Sequence, residues 1–217
     1  MSEKGMLVVI SGFSGAGKGT VVKQICDSYP YALSISATSR TPRKGDVDGK
    51  NYFFKSREEF EQMIAAGELI EWVEYVGNYY GTPKSYIQEQ RQLGNDVMLE
   101  IEMEGALNVK KVFPDAILVF LTPPSASELK KRLVGRGTET EEEIAKRLKR
   151  ASEECAYMPS YDYIVINDNL EACAAQVHSI VQSEKDKTRS YTHLLAKNCK
   201  PLIDRMTKEL QELIAHL

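Results

Sequence analysis

A glycine-rich segment with one lysine is the clearest chemical signal in the sequence. GFSGAGKGT occupies residues 12–20, directly after the apolar run LVVI and before an amphipathic stretch. The order of strand, loop and helix is that of a P-loop, in which backbone amides and the helix dipole attract phosphate and a lysine adds a point charge. A glycine turn that merely connected two elements would not need Lys18. We therefore expect a nucleoside triphosphate site, formed by Gly12, Ser14, Gly15, Ala16, Gly17, Lys18, Gly19 and Thr20.

The residue after the lysine departs from the usual P-loop pattern. Most P-loops have Ser or Thr there, and its hydroxyl binds Mg²⁺. This chain has Gly19, with Thr20 one position later, a form similar to that of adenylate-kinase-like enzymes. We expect Thr20 to contact the metal through water.

A second group of hydrogen-bond donors lies in SISATSRTPRKGDVDGKNYFF, at residues 34–54. Ser36, Arg40, Arg43 and Tyr52 are suited to a second phosphate, and the two arginines can bind it in bidentate fashion. Taken singly, each of these residues could be an ordinary surface or sheet-face side chain. Their occurrence in one short stretch favours a phosphate site.

Several motifs together resemble guanylate kinase. They are TSRTPRKGDVDGKNYFF, GELIEW, GNYYGT and GRGTETEEEIAKRL, and with the P-loop they span about residues 5–181. The resemblance implies ATP-dependent phosphorylation of GMP, and of dGMP, with Mg²⁺, on a P-loop core with a GMP-binding subdomain and a lid.

The resemblance also implies residues for the guanine base. Guanine presents two adjacent donors, N1–H and the 2-amino group, so one carboxylate can accept from both, whereas the N1 lone pair of adenine would be repelled. Glu71 occupies the family's position for this contact, and Thr82 that of the hydroxyl donor to O6. Glu102 stands where the family commonly has Asp. The remaining implied residues are Tyr80 and Gly81 for GMP and Glu100 for Mg²⁺ through water.

For ATP, the family's arginines around the triphosphate match Arg132, Arg136 and Arg147. Arg132 and Arg136 are four positions apart, which predicts one helical face. Asn167 matches a stretch beside adenine. The other cations of these helices are expected to be ordinary surface charges: Lys130, Lys131, Lys146 and Arg150.

Two other functions stay open at this point. A non-catalytic guanylate-kinase-like module that binds a protein would use the same scaffold, but such modules typically lack working P-loop residues. A kinase for another nucleoside monophosphate is disfavoured by Glu71 with Thr82.

Elements that position these residues can be read from the apolar pattern. Continuous apolar runs indicate strands covered on both faces, hence an α/β fold with a parallel sheet. The runs are Leu7–Ile10, Asp96–Ile101, Ala116–Leu121 and Tyr163–Ile166. Helix starts are predicted at the capping pairs Ser56/Glu59, Ser125/Glu128 and Thr138/Glu141, and Gly67 is expected to end the first of these helices.

Aromatic strands at 51–54 and 71–81 interrupt the alternation and predict an inserted mixed-sheet subdomain. We expect a P-loop core at 1–37, 95–132 and 155–186, a GMP-binding subdomain at 38–94, a helical lid at 133–154 and an extension at 187–217. Apolar residues recur at spacings of three or four from Leu195 to Leu217 and predict an amphipathic helix at Leu194–Leu217, with Pro201 at its start or at a kink. This helix could pack on its own chain or form a homodimer contact.

Composition restricts the remaining classes of protein. The net charge is −3, which gives no support to nucleic-acid binding through phosphate contacts. The longest apolar run has six residues, too short for a membrane span. The four cysteines are widely spaced and we read no signal peptide, so we expect free thiols and a cytoplasmic protein.

Overall fold

A computed structural model of the chain describes residues 4–75, 77–135, 140–185 and 199–215. Within these ranges the strands form two sheets. The main sheet has five parallel strands in the order β2-β7-β1-β8-β9, and the second sheet has the order β4-β3-β6-β5. The strand bounds are β1 Leu7–Gly12, β2 Tyr31–Leu33, β3 Ala37–Thr38, β4 Phe53–Phe54, β5 Leu69–Tyr75, β6 Asn78–Pro83, β7 Asp96–Glu100, β8 Ile117–Thr122 and β9 Tyr163–Ile166.

The main sheet confirms the predicted parallel α/β core. β1 and β8 are buried along their whole length, as expected of strands covered by helices on both faces. The four predicted runs match strands to within two residues at either end. β1 lies between β7 and β8, so the chain leaves the centre of the sheet at Gly12. A Cβ on Gly12 would lie 2.2 Å from the carbonyl oxygen of Leu121, so the strands could not approach so closely with any larger residue.

Helices cover the main sheet and cross between its strands. Their bounds are α1 Lys18–Ser28, α2 Arg57–Ala65, α3 Lys84–Gln92, α4 Met103–Val112, α5 Ala126–Val134, α6 Glu141–Glu154, a 3₁₀ helix Cys155–Ser160, α7 Leu170–Lys185 and α8 Lys200–Ala215. Within the described ranges, no helix combines the length and the apolar character needed to cross a bilayer.

Two of the three predicted helix starts are confirmed. Ser56 and Glu59 form a reciprocal capping box, and the Ser125 hydroxyl accepts from the backbone of Glu128. Gly67 follows α2 with a φ of 64°, as expected of a residue that ends a helix.

The predicted start of α6 was wrong. Its capping box is formed by Thr140 and Glu143, and Thr138 lies outside the described residues. Both threonines have a glutamate three positions later, so the local pattern fits either. The apolar face of α6 begins with the buried Ile144, which places the cap closer to it.

The second sheet is mixed, as expected for the inserted segment. β3 pairs parallel with β4 and antiparallel with β6, which forms an antiparallel hairpin with β5. With α2 the sheet encloses a small apolar core of its own, formed by Ala37, Phe60, Leu69 and Tyr79. α3 instead packs on β7, and its Ile87 belongs to the main core. The predicted boundaries at 38 and 94 stay predictions.

The carboxyl-terminal helix packs on its own chain. α8 lies against α5 and α6, and it buries Ile203, Met206 and Leu210. Pro201 is in its first turn, where the missing amide costs no hydrogen bond. Leu194 and Leu217, the ends of the predicted helix, lie outside the described residues. This contact agrees with the alternative in which the helix packs on its own chain. The homodimer contact stays a prediction.

Arg91, at the end of α3, is a buried cation that the sequence pattern did not reveal. Its side chain is 1% exposed, Nε donates to the carbonyl oxygen of Gly5 over 2.8 Å, and the guanidinium pairs with Asp115.

Arg91→Leu is expected to lower the free energy of unfolding by about 2 kcal/mol, because the buried carbonyl oxygen of Gly5 loses its donor. Urea denaturation measures the change. Arg57→Leu, which removes the exposed Arg57 from Glu61 and Glu74, is the control and should cost less than about 1 kcal/mol. An equal effect of both changes would contradict this role of Arg91.

Candidate active site

The glycine-rich loop lies at the carboxyl end of β1, the central strand, where ligands bind in open α/β sheets. Gly17 has a φ of 88° and caps α1, so Lys18 is the first helical residue. The Lys18 side chain is 9% exposed and turns back over the loop, where Nζ donates to the carbonyl oxygen of Gly12 over 2.9 Å. The unpaired amides at the start of α1 and this ammonium group provide positive potential at one point, as binding of a phosphate requires.

Asn167, just after β9, connects the glycine-rich loop to the end of β8 by two hydrogen bonds. Its Nδ2 donates to the carbonyl oxygen of Ala16 over 2.8 Å, and its backbone amide donates to Thr122 over 2.8 Å. Arg132 extends this network, because Nη2 donates to the carbonyl oxygen of Asn167 over 2.9 Å while Nε pairs with Glu128. Asn167 and Arg132, both predicted for the ATP site, thus belong to the hydrogen-bond network that holds the glycine-rich loop.

A substitution at Gly17 tests the contact between the loop and Asn167. A Cβ at this position would lie 2.7 Å from Nδ2 of Asn167, and a φ of 88° is strained for any residue with a side chain. Gly17→Ala is therefore expected to destabilise the fold by roughly 2 kcal/mol, the sum of the backbone strain and the lost hydrogen bond. Chemical denaturation measures the loss. Gly45→Ala is the control, because Gly45 has a φ of 96° with nothing within 4 Å of an added Cβ. Equal losses would show that the contact with Asn167 contributes nothing.

Of the two lid arginines predicted for the ATP site, the structure describes one. Arg147, on α6, donates from Nη1 to the Ser14 hydroxyl over 2.5 Å, so α6 reaches the loop directly. Arg136 lies outside the described residues. The predicted helical face shared by Arg132 and Arg136 therefore stays a prediction, and α5 itself ends at Val134, with Gly135 as its cap residue.

Two glutamates lie at the carboxyl end of β7, the neighbour of β1, and both approach the loop: Glu100 is the last residue of the strand, and Glu102 comes two positions later. Glu102 is the cap residue of α4, and its Oε1 lies 3.5 Å from Nζ of Lys18. Glu100 lies beside Gly19, where an added Cβ would be 3.4 Å from the carboxylate. Gly19 thus leaves room for the Glu100 carboxylate next to α1. Desolvation at this position raises the pKa of Glu100, and the nearby Lys18 opposes that rise.

In the second sheet, the structure brings Glu71 and Thr82 together. Glu71 is on β5 and Thr82 on β6, and the threonine hydroxyl donates to Oε1 of Glu71 over 2.6 Å. Burial raises the pKa of Glu71, and the hydrogen bond from Thr82 acts in the opposite direction. Gly105 of α4 faces this carboxylate, since a Cβ there would lie 3.0 Å from Cγ of Glu71. Gly81 is equally constrained, because its Cβ would lie 2.8 Å from the Glu71 carbonyl oxygen.

The predicted phosphate donors of this sheet lie around Arg40. Its guanidinium is 5.5 Å from the ring centroid of Tyr52, and the rings of Tyr52 and Tyr80 are 6.0 Å apart. The backbone of Ser36, just before β3, accepts from Phe53. Arg40, Tyr52 and Tyr80 therefore share one surface.

Asp46, which sequence reasoning missed, contacts two of the predicted phosphate donors. Its Oδ2 accepts from the backbone amide of Arg43 over 2.8 Å and from Nη2 of Arg40 over 2.9 Å. These two hydrogen bonds lower the pKa of Asp46. An acid three residues after Arg43 is the only signal the sequence offered for this pairing. The carboxylate orders the loop that carries both arginines.

Arg150 and Glu154, on α6, were also missed. Arg150 was expected to be an ordinary surface charge, and it is exposed, but its guanidinium contacts two carboxylates. Nε donates to Glu154 over 2.9 Å, and Nη2 lies 3.6 Å from Oε2 of Glu102. Glu154 is 4% exposed, and burial raises its pKa. Spacing alone did not distinguish Arg150 from the other cations of the helix.

Comparisons with known proteins agree with this geometry. The family model described as guanylate kinase matches residues 4–184. The chain is 53% identical over 186 residues to a guanylate kinase of Streptococcus thermophilus (strain CNRZ 1066), covering 85% of this chain and 89% of that one. It is also 53% identical over 186 residues to a guanylate kinase of Bacillus subtilis (strain 168), with 85% and 91% covered.

A solved structure gives the same result for the fold. The crystal structure of guanylate kinase from Anaplasma phagocytophilum superposes with a TM-score of 0.65 at 28% sequence identity, and 95% of this chain and 97% of that chain are covered.

Proposed function

Because the chain belongs to the guanylate kinase family, we propose that it transfers the γ-phosphate of ATP to GMP, with GDP and ADP as products, and that it accepts dGMP as well. The P-loop holds the triphosphate, and the second sheet holds the monophosphate.

The observation that carries this proposal is the Glu71–Thr82 pair. The carboxylate is held by a hydroxyl at 2.6 Å in a partly buried position. A carboxylate there accepts from N1–H and the 2-amino group of guanine. The Thr82 hydroxyl has one hydrogen, so it would turn from Glu71 to donate to O6 when guanine binds. Adenine would leave the buried carboxylate without donors, and sites built on polar pairing reject such analogues by up to about 10⁴-fold. Glu102 is the cap residue of α4, about one helical turn before Gly105, which faces Glu71, and would approach the 2-amino group.

Phosphoryl transfer needs positioning and neutralisation of charge more than covalent assistance. An oxygen of the GMP phosphate, held by Ser36, Arg40, Arg43, Tyr52 and Tyr80, attacks the γ-phosphorus of ATP. The bond from that phosphorus to the β,γ-bridging oxygen breaks in line with the attack, and ADP leaves. Lys18 and Arg147 stabilise the charge on the transferring group. Arg132 and Arg136 complete the predicted set around the triphosphate.

The metal is proposed to be Mg²⁺. Among the residues that the structure describes, no cluster of three or more His, Cys, Asp or Glu could hold a metal ion. This fits a metal carried mainly by nucleotide phosphates and water, as is usual for Mg²⁺. Thr20 and Glu100 would contact it through water, and the cation would neutralise charge between the β- and γ-phosphates.

The segments 38–94 and 133–154 are proposed as the moving parts that close over both nucleotides and exclude water. All four cysteines lie in the described residues and none of them is in a disulfide, which supports the predicted cytoplasmic location.

A substrate panel tests the proposed function. Purified protein with Mg²⁺ and ATP is offered GMP, dGMP, AMP, UMP and dTMP separately, and ADP formation is measured in a coupled assay. We expect turnover with GMP and dGMP and at most trace turnover with the others. Equal turnover with AMP would overturn guanine selectivity, and no turnover with any acceptor would favour the non-catalytic binding module.

A further inference from the structure

Four side chains of alternating charge run from the P-loop to α6. Nζ of Lys18 lies 3.5 Å from Oε1 of Glu102, whose Oε2 lies 3.6 Å from Nη2 of Arg150. Nε of Arg150 pairs with Glu154 over 2.9 Å. We name this series the charge row. It joins the lysine expected to bind ATP with the glutamate expected to bind guanine.

Glu102 is a competitor for the phosphates of ATP. A carboxylate 3.5 Å from Nζ attracts the same ammonium that must face the β- and γ-phosphates. When ATP binds, Glu102 has to give up that pair, and a second cation at its other oxygen lowers the cost. Arg150 is placed to be that cation.

The position of Arg150 is itself fixed. Its partner Glu154 is 4% exposed, so its carboxylate has little access to water and depends on the hydrogen bond from Nε. A guanidinium can serve two carboxylates at once with separate N–H groups, which an ammonium does less well. Arg150 also lies three residues after Arg147, on the same face of α6 that contacts the P-loop at Ser14.

We propose that Arg150 is a positioning residue for the phosphoryl transfer: it draws the Glu102 carboxylate away from Lys18 and so leaves the ammonium group for ATP. This inference rests on the proposed function. It does not require Arg150 to touch either nucleotide. Its effect passes through Glu102, and a double-mutant cycle can detect that dependence.

The experiment is a calorimetric titration of Mg²⁺-ATP without GMP. Arg150→Gln keeps an amide donor for Glu154 and removes the charge that faces Glu102. We expect the Kd of ATP to rise by about threefold, the size typical of an exposed ion pair. In a Glu102→Gln background, the same change should leave the Kd unaltered, because the competing anion is gone. Arg150→Lys should retain tighter binding than Arg150→Gln.

Lys149→Ala is the matched control, because Lys149 is an exposed cation on the same helix and should leave the Kd unchanged. An equal loss in both backgrounds would overturn the proposal, since a direct phosphate contact or a purely structural role does not need Glu102. No loss in the wild-type background would also overturn it. If Arg150→Gln does not fold, the Arg150→Gln/Glu154→Gln double variant takes its place in the cycle. A chain that bound ATP but did not phosphorylate GMP would contradict the proposed function and leave this test valid.

Discussion

Replacing Lys18 by alanine is expected to lower kcat with GMP by at least about 10²-fold, the usual loss for one group that stabilises a transferring phosphate. The ammonium is held against the loop by the carbonyl oxygen of Gly12, in a side chain that is 9% exposed. In the proposed mechanism it is thus already positioned where charge develops on the transferring group. Steady-state kinetics at saturating ATP and GMP measure the loss.

Lys23→Ala is the control for this change. Lys23 is an exposed lysine of the same helix and pairs with Asp27 one turn later. Its removal should change kcat less than about twofold, because exposed pairs on a helix contribute little. Turnover of the Lys18 variant close to that of the control would contradict the role assigned to Lys18.

Glu71→Gln is expected to lower kcat/KM for GMP by roughly 10³-fold to 10⁴-fold, because an amide cannot accept from both guanine donors without directing its own N–H groups at the base. The Kd of ATP should stay unchanged. Kinetics with GMP and calorimetry with ATP separate the two effects. Comparable weakening of both nucleotides would indicate a general loss of structure.

The same variant should be more stable than the wild-type protein at neutral pH. Burial raises the pKa of Glu71 above the ordinary value of 4.5, so the folded chain binds the proton more tightly than the unfolded chain does. The free energy of unfolding therefore falls as pH rises from 4.5 through the raised pKa, and the penalty is complete once the pH exceeds that pKa.

Glutamine has no charge and escapes that penalty, while its carbonyl oxygen can still accept from Thr82. We expect the Tm of Glu71→Gln to exceed that of the wild-type protein at neutral pH, with the difference shrinking as pH is lowered into the interval. Thermal denaturation at a series of pH values measures it. A Tm difference independent of pH would contradict the raised pKa.

Local features were predictable from the sequence. Strand runs, the caps at Ser56 and Ser125, and the order of strand, loop and helix around Lys18 all depend on residues a few positions apart, and the structure contains them. The capping box at Thr140 shows the limit of such signals, because two equivalent patterns overlapped and only packing of the apolar face distinguishes them.

Contacts between distant segments were not predictable. Arg91 meets Gly5, 86 positions away, and Arg132 meets Asn167, 35 positions away. No spacing rule encodes such pairs, which depend on how the sheet arranges its strands. The resemblance to a family supplied Glu71 and Thr82 as candidates, and the hairpin of β5 and β6 brings them into contact. It did not supply Arg150 or Asp46, whose partners became visible only in three dimensions.

We propose that one partly buried carboxylate, Glu71 held by Thr82, selects guanine. Calorimetric titration of GMP and of AMP into the wild-type protein, in the absence of ATP, tests it most directly. We expect measurable heat and saturation with GMP and no saturable binding of AMP over the same concentration range. Binding of both nucleotides with similar affinity would contradict it.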